Sequence, residues 1–478
     1  MTHTTMTTEP ASMINKVFKA YDVRATYPKP LNEEMAWQIG FGTARFLLET
    51  AAAEGTSSNG AMMKTIVVGR DMRKHSPALA EALMKGMCDF GANVIDVGMV
   101  DTPFVYFAIN HLGCCGGVQT TASHNPAEYN GFKISKTMAK PVGMATGLDK
   151  IREYASAAKK GTGAGGGKIE KRDLWEAYRG HVLKFLHADL LSGKNTVKVA
   201  IDASNGMAGT MVPKVFGDVK GLKITKINFD NSTGEFVHEP NPLVEANLTQ
   251  VKDTVKKDHA DLGICFDGDA DRCMAVDEKG ESVPCDHLTA WLCRGFLKSN
   301  PGSAIVYDLR STKALAEIIS ETGGRPVKSR VGHVFMKQAL ADQKAVFGGE
   351  LSGHFYFRDN FNADSGAIAF AALLTALVES GGAMSAQIEP AKRYVQSGEI
   401  NFETEDKDRA LASLKGAYPA AKFETLDGLT VDCGDWWCNV RASNTEPLLR
   451  LNLEAKDRAS VDRLVADVSK HLGKRVAH

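Results

Sequence analysis

Three apolar runs that close on aspartate, three later runs that end in unusual loops, and a change of texture after Ala391 predict an α/β chain of three similar modules followed by a smaller α+β domain. The first runs lie at 66–71 (Ile-Val-Val-Gly-Arg-Asp), 197–202 (Val-Lys-Val-Ala-Ile-Asp) and 304–308 (Ala-Ile-Val-Tyr-Asp). Each reads as a buried strand ending on Asp, followed by Ser/Thr/Gly/Asn turn chemistry and then a helical pattern. A second strand candidate follows each time: 92–97 after Gly91, 222–229 after Gly221, and 325–329 after Gly323 and Gly324.

A third short run then enters a loop: Val118 leads to Ser123, 262–266 to Asp267, and 345–347 to Glu350. Strand, helix, strand, helix, strand is the order of parallel sheets, whose ligands gather outside the carboxyl ends of the strands. Three such modules present three loops from equivalent edges. Between the first two modules, 161–168 (Gly-Thr-Gly-Ala-Gly-Gly-Gly-Lys) has loop or linker composition, and Ile169 after the Gly-Lys excludes a phosphate-cradling P-loop. Beyond Ala391 come strands at 399–404 and 430–433 and one closing helix at 459–472, which make the α+β domain. The expected boundaries are 1–165, 166–281, 282–393 and 394–478.

Composition narrows the function classes. At 478 residues the chain exceeds what one hydrophobic core serves. Lys plus Arg and Asp plus Glu both number 57 and no basic run stands out, so no nucleic-acid footprint is present and a small-molecule ligand is expected. Residues 1–10 carry no apolar leader pattern, and the most apolar window, 366–378, is too short for a bilayer and reads as a buried helix. Nine cysteines without metal-like spacing fit free thiols in a reducing cytoplasm.

Four loops carry chemistry. In 120–126 (Thr-Thr-Ala-Ser-His-Asn-Pro) a strand gives way to a turn at Ser123, which holds a hydroxyl on a fixed backbone. In 267–272 (Asp-Gly-Asp-Ala-Asp-Arg) carboxylates stand at every second position, and three anions so close call for a hard cation such as Mg²⁺. Arg272 occupies the position where a calcium EF-hand loop needs glycine, and the flanks look like strands. An Asp-x-Asp phosphatase, with Asp267 as nucleophile, is the rival reading. The loop 348–354 (Gly-Gly-Glu-Leu-Ser-Gly-His) joins Glu350, Ser352 and His354 on a glycine-rich backbone suited to sugar hydroxyls, or forms a tight turn with a capping Glu. The stretch 441–447 (Arg-Ala-Ser-Asn-Thr-Glu-Pro) offers Arg441, Ser443, Asn444 and Thr445 as a phosphate cradle, or a structural turn before Pro447. Residues 18–24 add Tyr21 and Arg24.

In this order, these stretches closely resemble the α-D-phosphohexomutase superfamily, in its bacterial phosphomannomutase/phosphoglucomutase branch. The resemblance runs from about residue 14 to the C-terminus. It implies three similar mixed-sheet α/β modules plus a smaller C-terminal α+β domain around a central cleft. It further implies a phosphoserine at Ser123, Mg²⁺ held by Asp267, Asp269, Asp271 and a phosphoserine oxygen, and a hexose 1,6-bisphosphate intermediate that also activates the enzyme. Glu350 and Ser352 match the sugar-hydroxyl readers; Arg441, Ser443, Asn444 and Thr445 match the site of the phosphate that is not reacting. Lys133, Arg272, His333, Tyr21 and Arg24 match further cleft residues, with Lys133 or His333 as general acid or base. Arg310 stands where related enzymes often have Lys. The expected function is interconversion of hexose 6-phosphate and hexose 1-phosphate, mannose and glucose being the sugars, in a cytoplasmic monomer or dimer that binds neither nucleic acid nor membrane. A phosphoglucosamine mutase and a silent sugar-phosphate-binding protein are the alternatives.

Overall fold

The structure is a computed structural model that describes residues 10–54, 57–443 and 448–476. Its internal contacts divide the chain into two compact units, Met1–Val283 with Gly353–Met384, and Pro284–Ser352 with Ser385–His478.

In the first unit the strand Thr65–Arg70 is buried as far as Gly69. It lies inside a seven-stranded sheet ordered Val23–Thr26, Tyr129–Lys136, Gly116–Thr120, Thr65–Arg70, Asn93–Met99 and Ile169–Lys171, with Lys140–Pro141 beside Tyr129–Lys136. Thr65–Arg70 runs parallel to both neighbours, whereas Gly116–Thr120 pairs antiparallel with Tyr129–Lys136, so the sheet is mixed. The helices Glu33–Ala53 and Ser76–Phe90 pack on each other through two glycines. A Cβ on Gly40 would lie 2.0 Å from Leu83 O, and one on Gly86 2.0 Å from Trp37 O, so only glycine permits this helix spacing.

The glycine-rich 161–168 segment is no slack linker. The amides of Ala164 and Gly165 donate to Phe90 O and Asp89 O at 3.1 Å, and a Cβ on Gly163 would lie 2.1 Å from Asp89 O. Its composition answers a close approach to the end of Ser76–Phe90 and delivers the edge strand Ile169–Lys171.

The second sheet is ordered Ser282–Val283, Cys273–Asp277, Leu262–Phe266, Val197–Asp202 and Leu222–Ile227. Leu262–Phe266 is parallel to Val197–Asp202 and antiparallel to Cys273–Asp277. The residues 267–272 thus link a β-hairpin rather than two helices, which removes the EF-hand reading. Also in this unit, Phe355–Phe357 pairs antiparallel with Ala363–Asp364 and leads into the helix Gly366–Ser380, whose Ser365 cap accepts from the Ile368 amide. That helix is buried through Leu374, as its apolar sequence predicts, and among the described residues no single helix is long and apolar enough to cross a membrane.

In the second unit, Ala304–Asp308 runs parallel to Arg325–Ser329 and to Phe347–Gly349. The last strand begins two residues later than the apolar run suggests. The C-terminal domain is a six-stranded antiparallel sheet ordered Lys422–Glu424, Leu429–Asp432, Trp436–Ala442, Leu448–Ala455, Val395–Glu403 and Lys474–Val476. The closing helix spans Arg458–Ser469, and a second helix, Lys407–Ala417, accompanies it. That helix buries only Ala410 and Leu414, too little apolar surface to leave a periodic pattern in the sequence.

All three strand-closing aspartates do the same thing. Asp71, Asp202 and Asp308 are fully buried, and each accepts from the amide two residues on: Arg73 at 3.1 Å, Ser204 at 2.8 Å and Arg310 at 2.8 Å. Such a side-chain turn replaces the next rung of the ladder and turns the chain out at the carboxyl edge of the sheet.

Candidate active site

In the first unit the site is built where the first two sheets meet. Ser123 leaves the strand Gly116–Thr120 through a left-handed conformation, φ 50°, with its amide donating to Thr121 Oγ1. Its hydroxyl donates to Asp267 Oδ2 at 2.8 Å, and His124 Nδ1 lies 3.3 Å from the same oxygen. The approach is close along the backbone as well: a Cβ on Gly268 would stand 2.3 Å from Ser123 O, which accounts for the glycine between the first two aspartates.

Asp267, Asp269 and Asp271 are all buried, and each offers an oxygen within 4.8 Å of the others. Lys133 Nζ donates to Asp269 Oδ2 at 2.7 Å and to Asp271 Oδ2 at 2.5 Å. Arg272 places Nε 3.9 Å from Asp267 Oδ2, and its amide donates to Asp267 Oδ1 at 3.2 Å. His354 Nε2 lies 3.4 Å from Asp271 Oδ1 and 3.9 Å from Asp364 Oδ2.

The charges do not cancel. Burial, reinforced by Asp271 and Asp269, pushes the Asp267 carboxyl well above the usual carboxylate range. Burial works against Asp271 too, but Lys133, His354 and Arg272 carry it well below that range. Asp269 Oδ1 is buried without a hydrogen-bond donor among the described residues. Oxygen-only donors, an excess of negative charge and the unsatisfied oxygens Oδ1 of Asp269 and Oδ1 of Asp271 fit a hard divalent cation.

Arg24, on the strand Val23–Thr26, donates to Asn125 Oδ1 at 2.6 Å and to Asp22 Oδ2 at 2.5 Å, which ties it to the loop of Ser123. Tyr21 is half-buried in the bend before that strand.

A second group gathers in the second unit. Arg310 donates through Nε and Nη2 to Asp308 at 3.0 and 2.9 Å, and its guanidinium lies 3.8 Å from Glu350 and 3.9 Å from Glu399. Glu350 accepts from the Gly332 amide at 3.1 Å, one residue before His333, which begins the helix His333–Gln343. The Leu351 amide donates to Asp308 Oδ2 at 2.8 Å and sets the turn that carries Ser352. Arg441 Nη2 donates to Glu399 Oε2 at 2.7 Å, and Arg450 Nη1 lies 3.3 Å from Glu399 Oε1. Burial, together with Arg310 and Arg450, lowers the pKa of Arg441, the response of a guanidinium among its own kind. Arg310 is already paired with Asp308, whereas Arg441 and Arg450 share the single carboxylate of Glu399, which neutralises only one of them. Ser443 is buried and its amide donates to Leu448 O at 2.9 Å; Asn444 and Thr445 lie outside the described residues.

Thr102, Arg73, Glu399 and Arg450 were not singled out by the sequence. Thr102 opens the helix Thr102–Leu112, and its hydroxyl and amide donate to Asp269 Oδ2 and O at 2.5 and 3.1 Å. The apolar strand end before Thr102-Pro103 was its only local signal.

Known proteins place this arrangement. Models of the phosphoglucomutase/phosphomannomutase α/β/α domains I, II and III and of the C-terminal domain match residues 15–161, 176–280, 284–394 and 399–471. A protein named phosphohexose mutases from Xanthomonas campestris pv. campestris (strain B100) is 36% identical over 452 residues, covering 93% of this chain and 96% of its own. A phosphomannomutase from Salmonella montevideo is 35% identical, with 92% and 94% covered. The crystal structure of a phosphoglucomutase/phosphomannomutase family protein from Burkholderia thailandensis superposes with a TM-score of 0.84 at 29% identity, covering 95% of this chain and 96% of that one. Fold and relatives define an intramolecular phosphotransferase, a mutase. The chain belongs to the phosphoglucomutase/phosphomannomutase family, whose members include hexose phosphate mutases.

Proposed function

We propose that the protein interconverts hexose 6-phosphate and hexose 1-phosphate, of mannose and of glucose, through a phosphoryl group carried on Ser123 and a hexose 1,6-bisphosphate intermediate. The observation that carries this reading is the 2.8 Å bond from Ser123 Oγ to Asp267 Oδ2, beside two further carboxylates. A hydroxyl set against a cation-binding cluster is the arrangement that phosphoryl transfer needs.

Asp267, Asp269 and Asp271 are the residues to hold Mg²⁺, joined by an oxygen of the phosphorylated serine. When bound, the ion neutralises charge on the phosphoryl group, which is the main help a protein can give to a loose transition state. Arg272 and Lys133 add positive charge from the protein itself. In the forward step the Ser123 Oγ–P bond breaks while phosphorus bonds to a sugar oxygen. Lys133 or His333 takes the proton of that hydroxyl, and Ser123 Oγ leaves as an oxyanion, which a cation held by Asp267, Asp269 and Asp271 would stabilise until the second step. In the second step the other phosphoryl group of the bisphosphate bonds to the Ser123 oxyanion, and the same group, Lys133 or His333, gives its proton to the sugar oxygen left behind.

Recognition is assigned to the second unit: Glu350 and Ser352 for sugar hydroxyls, Arg310 as a further substrate-binding cation, and Arg441 with Ser443, Asn444 and Thr445 for a phosphate. Tyr21, Arg24 and His354 contribute to substrate binding in the first. The test is a coupled mutase assay on mannose 1-phosphate, glucose 1-phosphate and glucosamine 1-phosphate, with and without hexose 1,6-bisphosphate. Turnover of the first two, dependent on the bisphosphate, supports the reading. Preference for the amino sugar moves the protein to a phosphoglucosamine mutase, and release of free phosphate without isomerisation moves it to a phosphatase.

A further inference from the structure

Arg73 is fully buried with its partner Asp71, yet neither residue touches the hydroxyl or the carboxylates of the site. Its Nε donates to Asp71 Oδ2 at 3.1 Å. Nη1 donates to Pro126 O at 2.6 Å and Tyr129 O at 3.1 Å; Nη2 donates to Ser123 O at 2.9 Å and Asn125 O at 2.7 Å. All five N–H groups of the guanidinium side chain are therefore used, four of them on main-chain carbonyls of the one loop that carries Ser123. The same Ser123 carbonyl is the atom against which Gly268 packs, and Phe236 covers the guanidinium from 5.1 Å.

The repeat sharpens the contrast. Asp71-Met72-Arg73 and Asp308-Leu309-Arg310 are the same turn at equivalent strand ends. Arg310 keeps part of its guanidinium near Glu350 and Glu399, where an anionic or hydroxylated ligand could share it. Arg73 has no donor left for any ligand.

We propose that Arg73 is a positioning residue for phosphoryl transfer: oriented by Asp71, its guanidinium fixes the backbone of residues 123–129 and so sets where Ser123 Oγ stands relative to Asp267. The proposal rests on the reading of Ser123 as the phosphoryl carrier. A planar fork is needed because four carbonyls must be met at fixed angles; lysine keeps the charge but offers three donors from one atom.

The experiment uses the full chain with Arg73→Lys, and Asp71→Asn as the second variant should Arg73→Lys not fold. Three quantities are read: kcat and KM with hexose 1,6-bisphosphate present, the rate at which labelled bisphosphate phosphorylates Ser123, and hydrogen exchange of the amides at 121–129 and in Thr65–Arg70. A loss in kcat and labelling rate of roughly 10- to 100-fold with KM nearly unchanged is the scale for losing the support of a reacting group. The account expects that, with faster exchange confined to 121–129. Labelling at the unsubstituted rate in the variant overturns it, as does exchange that rises equally in Thr65–Arg70, which would mark Arg73 as a general stability element. Failure of the phosphoserine reading itself looks different, because then the unsubstituted protein carries no label on Ser123.

Discussion

The Thr102 hydroxyl donates to Asp269 Oδ2 at 2.5 Å across 167 residues of sequence, and the Thr102 amide donates to Asp269 O. One helix start in the first module thus orients a carboxylate offered by the second.

Thr102→Val keeps the shape and removes the donor. It is expected to raise the Mg²⁺ concentration for half-maximal activity roughly 10-fold, in line with other groups that orient a metal ligand, while KM for the sugar phosphate stays put. Mg²⁺ titration by calorimetry and by activity checks this, and an unchanged titration in both removes Thr102 from the metal site.

The residue before it gives a pH dependence. Burial pushes the Asp101 carboxyl up from 3.8 to about 7, even though Tyr178 donates to it at 2.7 Å. A carboxyl that holds its proton more tightly when folded stabilises the fold at low pH, and that contribution is lost as pH rises from about 4 to about 7. The loss amounts to about 4 kcal/mol for a shift of that size. Asp101→Asn keeps an acceptor for Tyr178 and should flatten this part of the profile in urea unfolding run across that range. An equal slope in both proteins refutes the assignment.

Arg441 sits with Arg310 and Arg450 around Glu399, and its expected duty is a phosphate. Arg441→Ala should raise KM for the hexose phosphate roughly 10- to 100-fold, the equivalent of losing charge-assisted hydrogen bonds of about 1.5–3 kcal/mol. The Mg²⁺ requirement should stay the same. Steady-state kinetics at several Mg²⁺ concentrations separate the two, and a matching loss of metal affinity would contradict the role.

What was legible in the sequence was whatever chemistry is local in the chain. The alternating carboxylates of 267–271 needed no fold to be seen; the strand at 262–266 was flanked by Asp261 and Asp267, that at 304–308 closed on Asp308, and that at 325–329 followed Gly324. The supports were not legible, because each acts at a distance in sequence. Arg73 reaches its loop over 50 to 56 residues, and Glu399 meets Arg441 over 42. Nothing near Arg73 distinguishes it from Arg310, although one is consumed by backbone carbonyls and the other is not. The linker-like 161–168 was misleading for the opposite reason: its glycines serve packing against Asp89 and Ala92, a cause that composition does not express.

The central claim is that phosphate travels on Ser123 and not on Asp267. It is tested most directly by incubating the full-length protein with labelled hexose 1,6-bisphosphate and Mg²⁺, then locating the label by mass spectrometry and by its stability to hydroxylamine. The account predicts hydroxylamine-resistant label on Ser123 that is lost to added hexose 6-phosphate and absent in Ser123→Ala. Hydroxylamine-sensitive label on Asp267, or label that persists in Ser123→Ala, would contradict it.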